Sequence, residues 1–312
     1  MSGEPKLIVG LGELLWDLLP SGKQLGGAPA NFTVMSARLG NYGVIASRIG
    51  RDALGDEARA YLEPLPAELN YLQVDDDHPT GSVSVTLQDG QPEYVIHKPV
   101  AWDFLNCTPA WLELARRADA VCFGSLAQRH EVSCEAIHSF LAATTEKCVR
   151  VFDVNLRKPF YDAKVLTDSL ARVTLLKLNE MEMPDVMSLL GLVTNSGSDE
   201  ASLLNCARML LDRFPLQLVC VTMGSQGSLL VTHGAHHRHH GIATKVADTV
   251  GAGDAFTAAL VRSYLQGAAL PVLNEAGNRW GSWVASQRGA MPALPADVRE
   301  DIEAQITQAT VQ

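Results

Sequence analysis

Short apolar segments alternate with helix-length segments in the second half of the chain. Four apolar runs, each bounded by polar residues or glycine, have the length of strands: 120–125, 149–155, 174–179 and 216–222. A segment of helical length, 131–147, separates the first two runs. This alternation predicts a doubly wound α/β fold, in which a mainly parallel sheet carries helices on both faces.

Polar residues and glycine follow the predicted strands directly. They include Asn155, Arg157, Asn179, Thr222 and Gly224. Ligands of open parallel sheets bind at the carboxyl ends of the strands. These residues are therefore candidates for a binding site.

The pattern changes between about 71 and 98, where apolar and polar residues alternate with the period of a strand. Asp89-Gly90 is typical of a hairpin turn and precedes a second predicted strand at 93–97. One face of the first strand is apolar: Val83, Val85 and Leu87. A hairpin with one apolar face must cover another surface.

We therefore expect a small β lid, formed by about 12–25 and 71–104, that covers the site or forms a dimer surface. No long linker divides the chain. Residues 1–312 are predicted to form one domain.

The composition restricts the partners of the chain. Its 312 residues are 47% hydrophobic and 19% charged, as in ordinary globular proteins. A formal net charge of −10 disfavours nucleic acid and anionic membranes as partners. Residues 1–6 lack a basic region followed by an apolar stretch, and no apolar run reaches 18 residues. The six cysteines include no C-x-x-C pair. A cytoplasmic protein with reduced thiols is expected.

The strongest chemical signal is the sequence DTVGAGD at 248–254, followed by a predicted helix at 255–266. Asp254 could accept a hydroxyl proton as a general base, although acidic residues are also common at helix N-termini without a catalytic role. The backbone amides before it could converge on an anion and stabilise a phosphoryl group in transfer: those of Gly251, Ala252 and Gly253.

The segment DTVGAGDAF at 248–256 resembles the carboxyl-terminal signature of the ribokinase-like, or PfkB, family of carbohydrate kinases. GGAPAN at 26–31 resembles the amino-terminal signature, and the two occur in the family's order. Fructokinases are the most similar subgroup. Other segments extend the resemblance over nearly the whole chain: GELLWD at 12–17, GRD at 50–52, DVNLR at 153–157, NEME at 179–182 and TMGSQG at 222–227.

The resemblance implies a sugar site. In the family, the counterparts of Asp17, Gly27 and Asn31 hydrogen-bond sugar hydroxyls, and Gly26 beside Gly27 allows close approach of the backbone. Loop and helix-start chemistry is the alternative for Asp17 and Asn31. Arg157 would contact a polar or anionic substrate group, with a surface ion pair as its alternative.

The resemblance also implies a nucleotide site. Asn179 and Glu182 are similar to an N-x-x-E motif that organises Mg²⁺ and phosphate, although the same spacing forms a capping box. Because Pro184 fits the first turn of a helix, we expect the helix to begin there and Glu182 to stay free for function. The implied nucleotide-binding residues are Asn179, Glu182, Thr222, Gly224, Gly227 and Asn278.

Many family members also bind a monovalent cation such as K⁺ beside the anion hole. The corresponding residues here would be Asp248, Val250, Val284 and Gly289. Two further features resemble functional sites but are interpreted as structural. The histidine-rich run at 236–240 is expected to be a solvated loop rather than a metal site, and Trp280 and Trp283 are expected in the core.

The sequence therefore predicts an ATP- and Mg²⁺-dependent kinase that transfers the γ-phosphoryl group to a hydroxyl of a small sugar, with fructose as the preferred acceptor. The alternatives are 2-keto-3-deoxygluconate, ribose and nucleoside kinases, or a non-catalytic sugar-binding regulator on the same scaffold. A P-loop kinase is disfavoured because no G-x-x-x-x-G-K-[ST] occurs, and the Gly10 to Gly12 segment lacks the third glycine of a dinucleotide fingerprint. The resemblance also implies a homodimer through the β lid.

Overall fold

The computed structural model describes residues 4–19, 22–88, 91–192 and 199–309. Its strands are β1 (Leu7–Leu11), β2 (Leu15–Leu19), β3 (Gly22–Gly26), β4 (Tyr42–Gly50), β5 (Ala67–Glu68), β6 (Leu72–Asp75), β7 (Gly81–Gln88), β8 (Gln91–Ile96), β9 (Ala120–Phe123), β10 (Val149–Asp153), β11 (Leu175–Asn179), β12 (Leu218–Thr222), β13 (Ser228–Val231) and β14 (His236–His239). Its α-helices are α1 (Ala28–Arg38), α2 (Ala53–Leu62), α3 (Pro109–Arg117), α4 (Glu131–Ala143), α5 (Ala163–Leu170), α6 (Met183–Leu189), α7 (Glu200–Arg213), α8 (Ala252–Leu265), α9 (Leu270–Ala285) and α10 (Ala296–Ala309).

The larger sheet has ten strands in the order β14-β13-β12-β11-β10-β9-β1-β4-β5, with β6 also paired to β4. The strands from β12 to β5 run parallel to their neighbours. At the other edge, β13 and β14 run antiparallel. The four predicted apolar strands correspond to β9, β10, β11 and β12, so the predicted mainly parallel α/β fold is confirmed.

Helices cover both faces of this sheet, which explains why its central strands are apolar on both faces. Phe123 and Phe152 belong to a core layer beneath α3 to α7. The preceding residues, Cys122 and Val151, belong to the opposite layer beneath α1, α8, α9 and α10. Trp280 is fully buried in that second layer and Trp283 packs against it, so the core interpretation of both side chains is confirmed.

A second sheet of four strands has the order β3-β2-β7-β8. It contains the predicted hairpin strands, with Val83 opposite Ile96. The lid expected at 71–104 is too long at its start, because β6 pairs in parallel with β4 of the large sheet instead. The predicted turn at 89–90 and the side chains of Val85 and Leu87 lie outside the described residues.

The base of this second sheet joins the large sheet through a third apolar cluster. Leu14, Trp16 and Leu25 pack there with residues of α1 and β4 and with Met291. Trp16 also donates its indole N–H to the carbonyl of Leu54, 2.9 Å away. The strands that carry the amino-terminal motifs are therefore fixed against the helix that carries Asn31.

Helix α1 lies unusually close to β1. A methyl group added to Gly10 would lie 2.1 Å from the carbonyl oxygen of Pro29 and from Oγ1 of Thr33. Any side chain at Gly10 would therefore push the helix away, since tightly packed interiors do not yield by that amount. This close approach sets the depth at which the first turn of α1 lies above the sheet.

Most of the cysteines lie in the core, as the sequence analysis expected. Cys122, Cys148, Cys206 and Cys220 are buried, as expected for core thiols.

Among the described helices, none combines the length and apolar character that crossing a bilayer requires.

Candidate active site

Helix α8 begins at Ala252, three residues before the predicted start, so Gly253 and Asp254 lie in its first turn. Gly251 caps the helix with a φ of 78°, a left-handed conformation that favours glycine. A methyl group there would also lie 2.7 Å from the backbone of Ala290. The turn is therefore restricted to glycine by both backbone conformation and packing.

The predicted convergence of three amides needs one correction. The amide of Ala252 donates to the carbonyl of Thr249 at 3.2 Å, because the chain tightens before the helix begins. Within the described chain, the amides of Gly251 and Gly253 have no such partner. Two amides at the positive end of a 14-residue helix thus remain available to an anion.

The amino-terminal and carboxyl-terminal motifs meet in one hydrogen bond. The side-chain amide of Asn31 donates to Oδ2 of Asp254 at 2.7 Å, across 223 positions of sequence. Asn31 is 5% exposed, and its own Oδ1 is buried without a hydrogen-bond partner in the described chain. Asn31 therefore holds the acid with one atom and leaves an acceptor for another molecule.

Burial raises the pKa of Asp254 to about 6, and the neighbouring Asp153 adds to the rise. Lys177, the hydrogen bond from Asn31 and Arg157 each act in the opposite direction. An acid with this pKa is ionised at neutral pH, yet it is a stronger base than an ordinary aspartate.

The remaining predicted sugar residues lie on the strands beside this acid. Asp17 is on β2 and is half-buried, and a methyl group on Gly26 would lie 3.3 Å from its Oδ2. Gly27 has a φ of 117°, and a methyl group there would lie 2.4 Å from the carbonyl oxygen of Glu13. The two glycines thus allow the turn between β1 and β2 to pack directly on the start of α1.

Arg157 is exposed just beyond β10, where its charge opposes the rise that burial causes in the pKa of Asp17. The surface ion pair considered for it is not among those of the described residues, and its Nη1 donates only to the carbonyl of Leu156. Asn155 before it has a φ of 42°, a conformation that asparagine tolerates better than most residues. The turn after β10 thus carries Arg157 beside the site, where its charge acts on Glu13, Asp17 and Asp254.

Glu13 is a site residue that the sequence analysis did not single out. It is 2% exposed, and its Oε2 is buried without a hydrogen-bond partner in the described chain. Burial raises its pKa to about 7, and Asp254 and Asp153 add to the rise while Arg157 opposes it. A glutamate between the buried residues Leu11 and Leu14 was the available signal, because an acid inside an apolar run is rarely structural alone.

Asp153 and Lys177 form a second buried feature that the sequence analysis missed. The ammonium of Lys177, on β11, donates to both carboxylate oxygens of Asp153 at the end of β10, each at 3.0 Å. Asp153 also lines a small cavity together with Asp254. The signal was a lysine within the otherwise apolar run LLKL, which requires a buried anion on a neighbouring strand.

The N-x-x-E segment differs from the prediction in one respect. Helix α6 begins at Met183 with Pro184 in its first turn, as expected. Glu182 is nevertheless not free: its Oε2 accepts the amide of Asn179 at 2.9 Å and its Oε1 accepts that of Leu156 at 2.8 Å. Oδ1 of Asn179 in turn accepts the amide of Glu182 at 2.9 Å, so the reciprocal capping interaction forms in the turn before the helix.

The predicted nucleotide turn follows β12. Thr222 ends that strand, Gly224 has a φ of 52°, and Gly227 has a φ of 88°. Asn278 lies on α9 behind β13, where its amide nitrogen donates to Oγ of Ser228 at 2.7 Å and to the carbonyl of Asn274 at 2.8 Å. The donor atom of Asn278 is therefore engaged within the protein.

The predicted cation loops are held together by Asp248. Its Oδ1 accepts the amide of Val250 at 3.0 Å, and its Oδ2 accepts that of Gly289 at 3.1 Å. Asp248 makes no such bond to Val284, whose side chain is buried in the core and whose carbonyl accepts the amide of Gln287 at 2.9 Å. The structure thus brings three of the four residues together.

The histidine-rich run forms strand β14 rather than a solvated loop, because it completes the edge of the sheet beside β13. His239 accepts the amide of Gly241 at Nδ1 (3.0 Å), and its Nε2 lies 2.8 Å from Glu275. No group of three or more His, Cys, Asp or Glu side chains suited to a metal occurs within the described ranges.

The buried carboxyl of Glu13 predicts a dependence of stability on pH. Its pKa lies near 4.5 in an unfolded chain and at about 7 in the folded one. The unfolding free energy should therefore fall as the pH rises from about 4.5 to about 7, by on the order of 3 kcal/mol for this group. Glu13→Gln removes the loss, so its stability relative to the unmodified chain should increase over that interval.

Urea unfolding at a series of pH values measures this difference. The exposed Glu146→Gln is the control and should follow the unmodified chain at every pH. A constant difference between Glu13→Gln and the unmodified chain would show that folding does not raise the pKa of Glu13.

Comparisons with known proteins agree with this geometry. Residues 21–297 match the family model described as pfkB family carbohydrate kinase. A fructokinase of Escherichia coli is 28% identical over 95% of this chain and 97% of its own length. A probable fructokinase of Arabidopsis thaliana is 28% identical over 95% of this chain and 91% of its own length.

The fold comparison gives the same result. An uncharacterized sugar kinase from Pyrococcus horikoshii has a TM-score of 0.81 at 25% identity, covering 98% of this chain and 100% of that one. That kinase has also been solved in complex with ATP. The ribokinase-like fold is therefore confirmed, and the chain belongs to the pfkB family of carbohydrate kinases.

Proposed function

We propose that the protein transfers the γ-phosphoryl group of ATP to a hydroxyl of a small neutral sugar, with fructose as acceptor and Asp254 as general base. The observation that carries this proposal is the 2.7 Å hydrogen bond from Asn31 to Asp254. It brings the predicted sugar residues of the amino-terminal motif to the acid at the start of α8. A base, hydroxyl-binding groups and an anion site then share one small volume.

In this proposal Asp254 removes the proton of the acceptor hydroxyl as the oxygen attacks the phosphorus. Its ionised form at neutral pH and its raised pKa suit that role. The amides of Gly251 and Gly253 stabilise the charge on the transferring group, each worth about 2.7–4 kcal/mol if they act as other oxyanion holes do. Ala252 contributes less, because its amide is bonded to Thr249.

The acceptor sugar is oriented by carboxylate and amide oxygens. Asp17, the unpartnered Oδ1 of Asn31 and the unpartnered Oε2 of Glu13 are acceptors suited to hydroxyl donors. Gly26 and Gly27 let Asp17 and the backbone of Glu13 lie close to the start of α1, where the sugar would bind. Arg157 lies at the exposed side of these groups and balances their charge.

ATP binds beside the turn after β12 in this proposal. Thr222, Gly224 and Gly227 form the turn, and α9 with Asn278 closes the adjoining side. Mg²⁺, when bound, neutralises charge on the phosphates. Glu182 fits a water-mediated role toward it, because each of its oxygens accepts one backbone amide and retains a second lone pair, and Asn179 fixes that carboxylate in place.

A monovalent cation is proposed at the junction that Asp248 holds together. The carboxylate fixes the loops that contain Val250 and Gly289, which places backbone carbonyls near one another. Val284 would contribute only its backbone carbonyl, because its side chain is buried in the core. K⁺ suits such a carbonyl-rich site.

The charge of the site favours a neutral acceptor. Glu13, Asp17 and Asp254 face the same region, with Arg157 as the exposed cation among them. A substrate carboxylate, as in 2-keto-3-deoxygluconate, would be repelled by these acids. The similarity to fructokinases then supports fructose above ribose, nucleosides or a purely regulatory role.

Asp254→Asn should lower kcat by at least about 10²-fold while leaving ATP affinity nearly unchanged, because the amide keeps the shape of the side chain but cannot take a proton. Asp297→Asn is a matched control, since Asp297 also lies in the first turn of a helix but is exposed. It should retain full activity. Turnover of Asp254→Asn within a few fold of the unmodified enzyme would remove Asp254 from the mechanism.

A panel of sugars with ATP and Mg²⁺ tests the acceptor. Fructose should give the highest kcat/KM, and 2-keto-3-deoxygluconate should be a poor substrate because of its charge. Mass spectrometry and NMR of the product identify the phosphorylated carbon, and assays in K⁺ against Na⁺ test the cation site. If none of the sugars supports ATP consumption, the regulatory alternative is favoured.

We also propose a homodimer through the β lid. Val95 on β8 is 39% exposed, and an apolar side chain on the open face of a small sheet is suited to a partner. Val95→Glu should shift sedimentation from dimer toward monomer. Val132→Glu, at a 44% exposed valine on α4, should not, and a monomeric profile of the unmodified protein would contradict the proposal.

A further inference from the structure

The Asp153–Lys177 ion pair lies directly beneath the turn that carries Asp254. A methyl group added to Gly253 would lie 3.1 Å from the Lys177 ammonium, so that ammonium packs against the backbone next to Asp254. Thr257, one helical turn after Gly253, places its hydroxyl 3.2 Å from Oδ2 of Asp153 and 2.9 Å from the Gly253 carbonyl. The hydrogen bond from Thr257 to Asp153 thus links the ion pair to helix α8.

The pair is deeply buried, since the side chains of Lys177 and Asp153 are 10% and 6% exposed. Burial by itself would lower the pKa of Lys177, but the carboxylates of Asp153 and Asp254 raise it well above its usual value. Replacing such a pair by apolar residues would often cost little stability. Its presence at this position therefore calls for a reason other than packing.

The charges around Asp254 come from several elements. Asp153 on β10 and Glu13 before β2 are acidic, whereas Lys177 on β11 and Arg157 after β10 are basic. Asn31 on α1 is a neutral donor, and Cys122 on β9 is kept as a thiol by burial. Glu182 acts on Lys177 from the turn before α6. Lys177 is the buried cation of this set, while Arg157 is exposed to solvent.

We propose that Lys177 and Asp153 act as a positioning pair for Asp254, in which Lys177 favours the ionised base and Asp153 holds Lys177 against the glycine turn. The proposal rests on the base role given to Asp254 above. It explains why a lysine lies in the middle of an apolar parallel strand. It also explains why the threonine one turn into α8 reaches back to Asp153.

The two members of the pair should shift the pH dependence of kcat in opposite directions. Lys177→Met leaves Asp153 as an uncompensated negative neighbour, which disfavours ionisation of Asp254. The acidic limb of kcat against pH should then move to higher pH by about one unit or more. Asp153→Asn leaves the Lys177 charge without its partner, so the limb should move to lower pH.

The double variant, Asp153→Asn with Lys177→Met, removes both charges and should return the limb close to its original position. A pair that only supports packing would lower kcat or stability in both single variants without moving the limb in opposite directions. If the acidic limbs of the two single variants stay in place, or move in the same direction, the proposal is overturned. If Lys177→Met does not fold, Asp153→Asn and the double variant decide the question by the same criteria.

Two further profiles separate this inference from the function on which it rests. Asp254→Asn should lose the acidic limb in its residual activity; if it keeps that limb, the base is another group and the general-base assignment fails first. Glu13→Gln should still show the limb, moved slightly to lower pH, because the variant removes an acid that interacts with Asp254 but keeps Asp254 itself. If the acidic limb disappears in Glu13→Gln, that limb reports the titration of Glu13 rather than of Asp254, and the role of the pair is overturned.

Discussion

The hydrogen bond from Asn31 to Asp254 is the contact on which the site depends. It links the first turn of α1 to the first turn of α8, two helices packed side by side on the same face of the sheet. Its 2.7 Å length requires α1 to lie close to β1, which Gly10 permits because any side chain there would collide with Pro29. A helix only slightly displaced would leave the buried acid without its donor. The positions of two distant motifs are thus fixed by one glycine and one amide.

Much of the fold could be predicted from local pattern. The strands β9 to β12 are continuous apolar runs because both of their faces are covered, and such runs are conspicuous in sequence. The glycine turn before α8 and the amino-terminal GGAPAN segment were also visible, because both need residues that few other positions tolerate. What the pattern could not give was the exact start of α8, since the first turn contains two small residues without an apolar period.

Three of the errors in the site share a cause, which is a partner from a distant segment. Glu182 appeared free because its acceptor contact with the Leu156 amide joins loops that are separate in sequence. The run at 236–240 appeared solvated because only its pairing with β13 makes it a strand. Lys177 was overlooked within an apolar strand, since its anion, Asp153, lies on the neighbouring strand. Local sequence indicates that a polar group is present but not which group satisfies it.

The site places several carboxyl groups close together and away from water, which lowers stability and which a purely structural region would avoid. Asp153, Glu13 and Glu182 are below 10% exposed and Asp254 is partly buried, and burial acts to raise the pKa of Glu13, Glu182 and Asp254. In water these carboxylates would be weaker bases and well solvated; in a dry site they bind hydroxyl groups and protons more strongly. Lys177 compensates for only part of that charge, which keeps Asp254 ionised without making it inert. The proposed transfer to a neutral sugar would need this balance, because such an acceptor brings no charge of its own and the protein would have to remove its hydroxyl proton.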